Sequence, residues 1–114
     1  MWEGLLPIGS VVILKGTNQK MVICGLCQEV MEESGKVLYD YSALLHPYGY
    51  VDREHLYVFN SDAIEQVCSV GYIDERLIAA YKNVNELLPR VRSGELPLEE
   101  LEKIKPEPPV VEKP

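Results

Sequence analysis

The sequence predicts an α+β fold: a small, mostly antiparallel sheet or partly open barrel of four to five strands, followed by two helices. Three observations predict it. β-Branched and aromatic residues recur in short runs between turn residues over residues 8–60, and the apolar spacing then changes to three and four after Asn60. Six of the eight prolines fall in residues 89–114. The expected organisation is therefore a single α+β domain over 1–88 and an acidic, Pro-rich, mostly disordered tail over 89–114.

The first strand lies between Pro7-Ile8-Gly9 and Lys15-Gly16, where Val11-Val12-Ile13-Leu14 is unbroken β-former. Val11 and Ile13 share one face and Val12 and Leu14 the other, so both faces are apolar and the strand is expected to be central and covered on both sides. Thr17-Asn18-Gln19-Lys20 is a short polar connection to a second strand, Met21-Val22-Ile23-Cys24-Gly25-Leu26-Cys27, in which Gly25 signals a bulge or bend. Glu29, Glu32, Glu33, Ser34 and Gly35 read as a charged loop. Val37 to Ala43 then alternates with a period of two, placing Val37, Tyr39, Tyr41 and Ala43 on one face and Asp40 and Ser42 on a wet one. His46-Pro47-Tyr48-Gly49-Tyr50 is a turn, with Gly49 able to take positive φ. His55-Leu56-Tyr57-Val58-Phe59 forms the fourth strand.

Beyond Asn60 the spacing is helical. Asn60, Ser61 or Asp62 can cap a short helix from Asp62 to about Cys68, with Glu65 placed as in a capping box and Gly71 ending the excursion. A longer helix follows from about Ile73 to Leu88, where Ile73, Leu77, Ala80, Tyr81, Val84 and Leu88 form one buried stripe and Pro89 sets the end. In the tail, residues 98–104 have the pattern of one or two helical turns, which need a partner surface to persist. The segment from Lys105 to Val110 reads as extended and polyproline-like.

With 114 residues, 46% hydrophobic and 25% charged, the chain can build a core without disulfides or metal. Eleven Lys and Arg against eighteen Asp and Glu give a net charge of −7, which argues against nucleic acid as a partner. No apolar run approaches the ~20 residues that span a bilayer, and Met1-Trp2-Glu3-Gly4 lacks the basic start and apolar core of a secretory signal, so membrane insertion is not expected and the location is expected to be cytoplasmic. Three cysteines are an odd number without an export signal, so reduced thiols are the default.

Cys24-Gly25-Leu26-Cys27 has the spacing of redox and metal motifs. Its flanks are strand-like, positions three apart on a strand face opposite ways, and no second ligand pair has zinc spacing. His46 and His55 lie at strand or turn edges without a nucleophile elbow, and Asp52-Arg53-Glu54 reads as a solvated turn. No catalytic residue, metal or cofactor is expected. The aromatics point elsewhere, because six of nine, Tyr39, Tyr41, Tyr48, Tyr50, Tyr57 and Phe59, fall within 21 residues. They serve either as cross-strand pairs or as a partner-binding face, since tyrosine adds contact area at low entropic cost. Tyr41, Tyr48, Tyr50 and Tyr57 are the candidate protein-binding residues, with Tyr48 and Tyr50 the more exposed.

Three segments in order carry a family resemblance: Leu5-Leu6-Pro7-Ile8-Gly9-Ser10-Val11-Val12 with Leu14-Lys15-Gly16, then Tyr39-Asp40-Tyr41 with Pro47-Tyr48-Gly49-Tyr50, then Phe59-Asn60 with Asp62-Ala63-Ile64 and Gly71-Tyr72-Ile73-Asp74-Glu75. Over roughly residues 5–75 the chain resembles a family of small Gram-positive bacterial proteins of unknown domain function, encoded near type VIIb secretion systems and their LXG-domain toxins. The first and last blocks are specific in combination. Cys24, Cys27 and the long tail depart from the pattern, and no catalytic residue carries over. The resemblance implies a non-enzymatic accessory factor, a cytoplasmic chaperone or targeting factor for a secreted LXG-type effector, with that effector or its targeting factors as protein partner. Two alternatives stand beside it: an immunity protein that neutralises a toxin domain, and a thiol redox protein using Cys24 and Cys27.

Overall fold

The computed structural model describes residues 4–104. Its strands are β1 (Val11–Leu14), β2 (Lys20–Glu32), β3 (Gly35–Leu45), β4 (Leu56–Phe59) and β5 (Ile64–Ser69), and its helices α1 (Glu75–Arg92) and α2 (Glu99–Glu102). The strands form one antiparallel sheet in the order β4-β3-β2-β1-β5. The fold is α+β, as expected. β1 is internal because its two apolar faces fit a strand with neighbours on both sides, β2 and β5.

Register assigns the faces. Val12 lies opposite Met21, Met21 opposite Leu45, Ile23 opposite Ala43, Tyr41 opposite Phe59 and Ala43 opposite Tyr57. These residues, with Leu14 and Ile64, belong to one core cluster that also takes in Tyr81 and Leu88 of α1 and Leu101 of α2. The helices therefore cover this face of the sheet. α1 starts where Asp74 accepts the Leu77 N–H at 2.8 Å, and its last turn closes at Ser93 and Gly94, the latter at φ +84°.

The chain enters the fold as a strap. The N–H groups of Leu5, Leu6 and Ile8 are donated to Asn85 Oδ1 at 3.0 Å, the Tyr41 hydroxyl at 2.8 Å and the Tyr81 hydroxyl at 2.9 Å. Pro7, which has no N–H to satisfy, is fully buried. Each polar group of an otherwise apolar buried segment is thus met by a side chain from the sheet or the helix. The Gly71 N–H is donated to Ser10 Oγ at 3.0 Å, which brings the opening block and the Gly71-Tyr72-Ile73 block into contact.

Four expectations are corrected. The charged loop after the second strand is mostly strand: β2 and β3 form a long hairpin closed by Glu33-Ser34 between the paired residues Glu32 and Gly35. β1 and β4 pair only with its proximal half, so residues beyond it meet solvent and read as polar. The expected helix over Asp62–Cys68 is strand β5, preceded by a 3-10 turn at Ser61–Ala63. β5 pairs with β1 at Ile64, Gln66, Val67 and Ser69, and the two register shifts leave Glu65 and Cys68 as extra residues. Two bulges in six residues turn period two into an apparent period of three. Asp40 and Ser42 are buried rather than wet, at 8% and 2% exposure. Finally, Pro89 lies inside α1 instead of ending it. It removes one helix N–H, while Leu88 and Val91 pack on either side of it and hold the helix to the core.

α1 also runs through the boundary expected after Leu88, and Leu98 and Leu101 join the core cluster. The expected polyproline segment lies outside the described residues. No helix among the described residues is long and apolar enough to cross a membrane.

Candidate functional site

The connection from β3 to β4 presents the sequence-predicted aromatics on a braced turn. His46 follows the end of β3, where its N–H is donated to Lys20 O at 3.0 Å and its carbonyl accepts Gln19 Nε2 at 3.1 Å. The Gly49 N–H then closes back onto Leu45 O at 2.8 Å with φ +70°, the conformation that glycine allows at low cost. Asp52 caps a 3-10 turn at Arg53–His55, accepting the His55 N–H at 3.1 Å, and lies 2.6 Å from His55 Nδ1. That ring hydrogen bond holds the Asp52 carboxyl below its ordinary pKa.

Between these two anchors Tyr48, Tyr50 and Val51 stand 73%, 63% and 52% exposed. Tyr50 and Val51 line an open cleft of about 460 Å³ with Asp52, Arg53 and Glu54. Large apolar side chains held out by a hydrogen-bonded backbone lose little entropy on docking, and the flanking charges supply a polar rim.

The four predicted tyrosines are not one face. Tyr48 and Tyr50 share the turn. Tyr41 is 1% exposed and holds the strap through its hydroxyl, with its ring 5.6 Å from that of Phe59. Burial pushes its pKa up against the opposing pull of the Leu6 N–H. Tyr57 is half-buried on the helix-covered face, opposite Ala43. Tyr41 is thereby removed from the accessible set, and Tyr39 turns outward to donate its hydroxyl to Glu32 Oε2 at 2.7 Å.

Cys24 occupies the bulge between Ile23 and Gly25, exposed, with Sγ 3.6 Å from Ser42 Oγ. Cys27 is half-buried against the core cluster at φ +53°. No disulfide forms among the three cysteines, and no group of His, Cys, Asp or Glu among the described residues is arranged to hold a metal ion.

One constellation escaped the sequence reading. Arg92 Nη2 lies 2.8 Å from Asp40 Oδ1, and it is donated to Asn60 Oδ1 at 2.9 Å and Leu38 O at 3.1 Å. Asp40 Oδ2 accepts the Ser61 N–H at 2.7 Å and Asn60 Oδ1 accepts the Asp40 N–H at 3.0 Å. A cleft of about 290 Å³ beside it is lined by Gly4, Leu5, Asp40, Ser61, Asn85, Leu88 and Pro89. Both Asp40 oxygens are engaged by the protein itself, so the network is a clamp between α1, β3 and the β4–β5 connection. Its only sequence signal was an acid on the expected wet face of a strand.

Fold and surface together define a small α+β domain with a braced aromatic turn. The chain belongs to the family described as a domain of unknown function, DUF4176, whose model matches residues 5–78. That match begins at the strap and ends in the first turn of α1, so it takes in both segments that meet at Ser10 and Gly71. No curated protein and no solved structure matches the chain.

Proposed function

We propose that this protein is a non-enzymatic, cytoplasmic accessory factor that works by binding another protein. The observation that carries the reading is the turn at Tyr48, Tyr50 and Val51, three exposed large side chains on a backbone fixed from both ends. In its finer form, taken from the resemblance to proteins encoded near type VIIb secretion systems, the factor is a chaperone or targeting factor for an LXG-type effector.

The test is co-purification of the tagged full chain with the products of its neighbouring genes. The expected result is a stable complex that Tyr48→Ala with Tyr50→Ala weakens at least ~10-fold, about 1.4 kcal/mol. Recovery of the protein alone from cells that express the effector and its other partners would count against the reading. Protection of cells that express only the toxin domain would replace it with an immunity role.

A further inference from the structure

The face of the sheet opposite α1 is apolar in register. Val11 lies opposite Val22, Val22 opposite Leu44 and Leu44 opposite Leu56, one continuous row across four strands. Ile13, opposite Lys20, and Val58, opposite Ser42, flank it. None of these apolar residues belongs to the core cluster or its packed surround, whereas their neighbours Val12, Met21, Leu45 and Tyr57 all do. They are half-buried, with Leu56 exposed at 42%. An antiparallel sheet with one wet face alternates apolar and polar residues; this one is apolar on both faces where β1 to β4 overlap. Both helices sit on the other side, so no second layer covers the row among the described residues.

We propose that this face docks an amphipathic helix of a partner protein, which rests on the protein-binding reading above. Charge selects the occupant. In a chain of net charge −7, the charged strand residue on this face is Lys20, while Gln66 and Ser69 on β5 and Ser42 on β3 are neutral. A second copy packed face to face would set one lysine-bearing, carboxylate-free surface against another. A partner with carboxylates beside its apolar stripe supplies the counter-charge. The width agrees with a helix: four strands span about 14 Å at the usual strand spacing. A helix crosses that in roughly nine or ten residues, offering apolar positions at i, i+3 or i+4, and i+7. The row ends at Leu56, directly after the capped turn that follows Tyr50 and Val51, so the two surfaces adjoin.

The experiment uses the full chain and two synthetic helical peptides of about 14 residues with identical leucine stripes, one flanked by glutamates and the other by lysines. Amide shift mapping is expected to show the glutamate peptide perturbing Val11, Val22, Leu44 and Leu56 with Kd below about 1 mM. Lys20→Glu is expected to weaken that peptide about 3-fold, the size of one exposed ion pair, and to favour the lysine peptide instead. Leu56→Lys, at an already exposed position, is expected to abolish the row's shifts with the far-UV spectrum unchanged. Shifts confined to α1, equal binding of both peptides, or concentration-dependent shifts of the row without peptide would overturn the proposal, the last in favour of a second copy. A gene-neighbour complex that is lost in the Tyr48 and Tyr50 variant but indifferent to Leu56→Lys would overturn the sheet face alone and leave the protein-binding reading standing.

Discussion

Gly71 is held to glycine by its surroundings. A Cβ there would meet Ile8 O at 2.1 Å, and Ile8 cannot retreat because its N–H is held by the Tyr81 hydroxyl. Gly71→Ala is therefore expected to cost about 2–3 kcal/mol through overpacking, against about 1 kcal/mol for Gly16→Ala, where the space is open and only the φ of +79° is unfavourable. Urea midpoints measured at constant m-value check the order; equal losses would mean that the contact relaxes. The strap also makes stability sensitive to alkali. Burial raises the pKa of Tyr41 and Tyr81 in the folded chain above the value near 10 that applies when it unfolds. Below about pH 10 both states keep these protons and the stability is complete; above it the unfolded chain releases them first, and stability falls as pH rises through the folded values. Tyrosinate absorbance at these two residues should lag behind free tyrosine and coincide with loss of the far-UV signal. Tyr81→Phe tests the bond itself and should cost about 1–2 kcal/mol, because it leaves the part-buried Ile8 N–H without its acceptor.

At the scale of elements, the decisive contact joins the end of α1 to the middle of β3. Arg92 keeps an 11%-exposed Asp40 side chain paired. Arg92→Leu is expected to cost about 2–3 kcal/mol, at or below the low end for a buried pair because Arg92 is itself 37% exposed. Asp40→Asn added to it should recover about 1 kcal/mol by removing the stranded charge while keeping an acceptor for the Ser61 N–H. Chemical denaturation of the two variants reads both numbers, and a double variant no better than the single would show that charge is not the cause. This pair also marks where sequence reasoning stops. The apolar stripe of α1, the internal place of β1 and the turn at Gly49 follow from local spacing and were legible. β5 was not, since Glu65 and Cys68 bulge out and shift Ile64 and Val67 to helical spacing. The burial of Asp40 was not either, since its partner lies 52 positions away, beyond a proline that normally ends a helix.

For the whole molecule the question is where the folding unit ends, and the sequence places that end at Leu88. In the fold the next sixteen residues hold Val91, Leu98 and Leu101 against the core cluster and Arg92 in its clamp. Leu101, 4% exposed, is worth about 2 kcal/mol of burial, and the half-buried Val91 and Leu98 together about the same. With the clamp added, the segment contributes about 6–7 kcal/mol, comparable to the 5–15 kcal/mol that separates folded from unfolded in domains generally. A chain ending after Leu88 is thus expected to melt at least ~20 °C below the full chain or to lack a cooperative transition altogether. The family match ends earlier still, at residue 78, within the first turn of α1. The matched segment therefore lacks Tyr81 and Asn85, which hold the N–H groups of its own first residues, and cannot close its strap. Thermal unfolding of chains ending at 78, 88 and 104 orders these contributions. The expected ranking is no transition, a depressed one and a cooperative one, whereas a cooperative melt of the shortest chain would show that the sheet stands without α1 and that the helix is an addition to the domain.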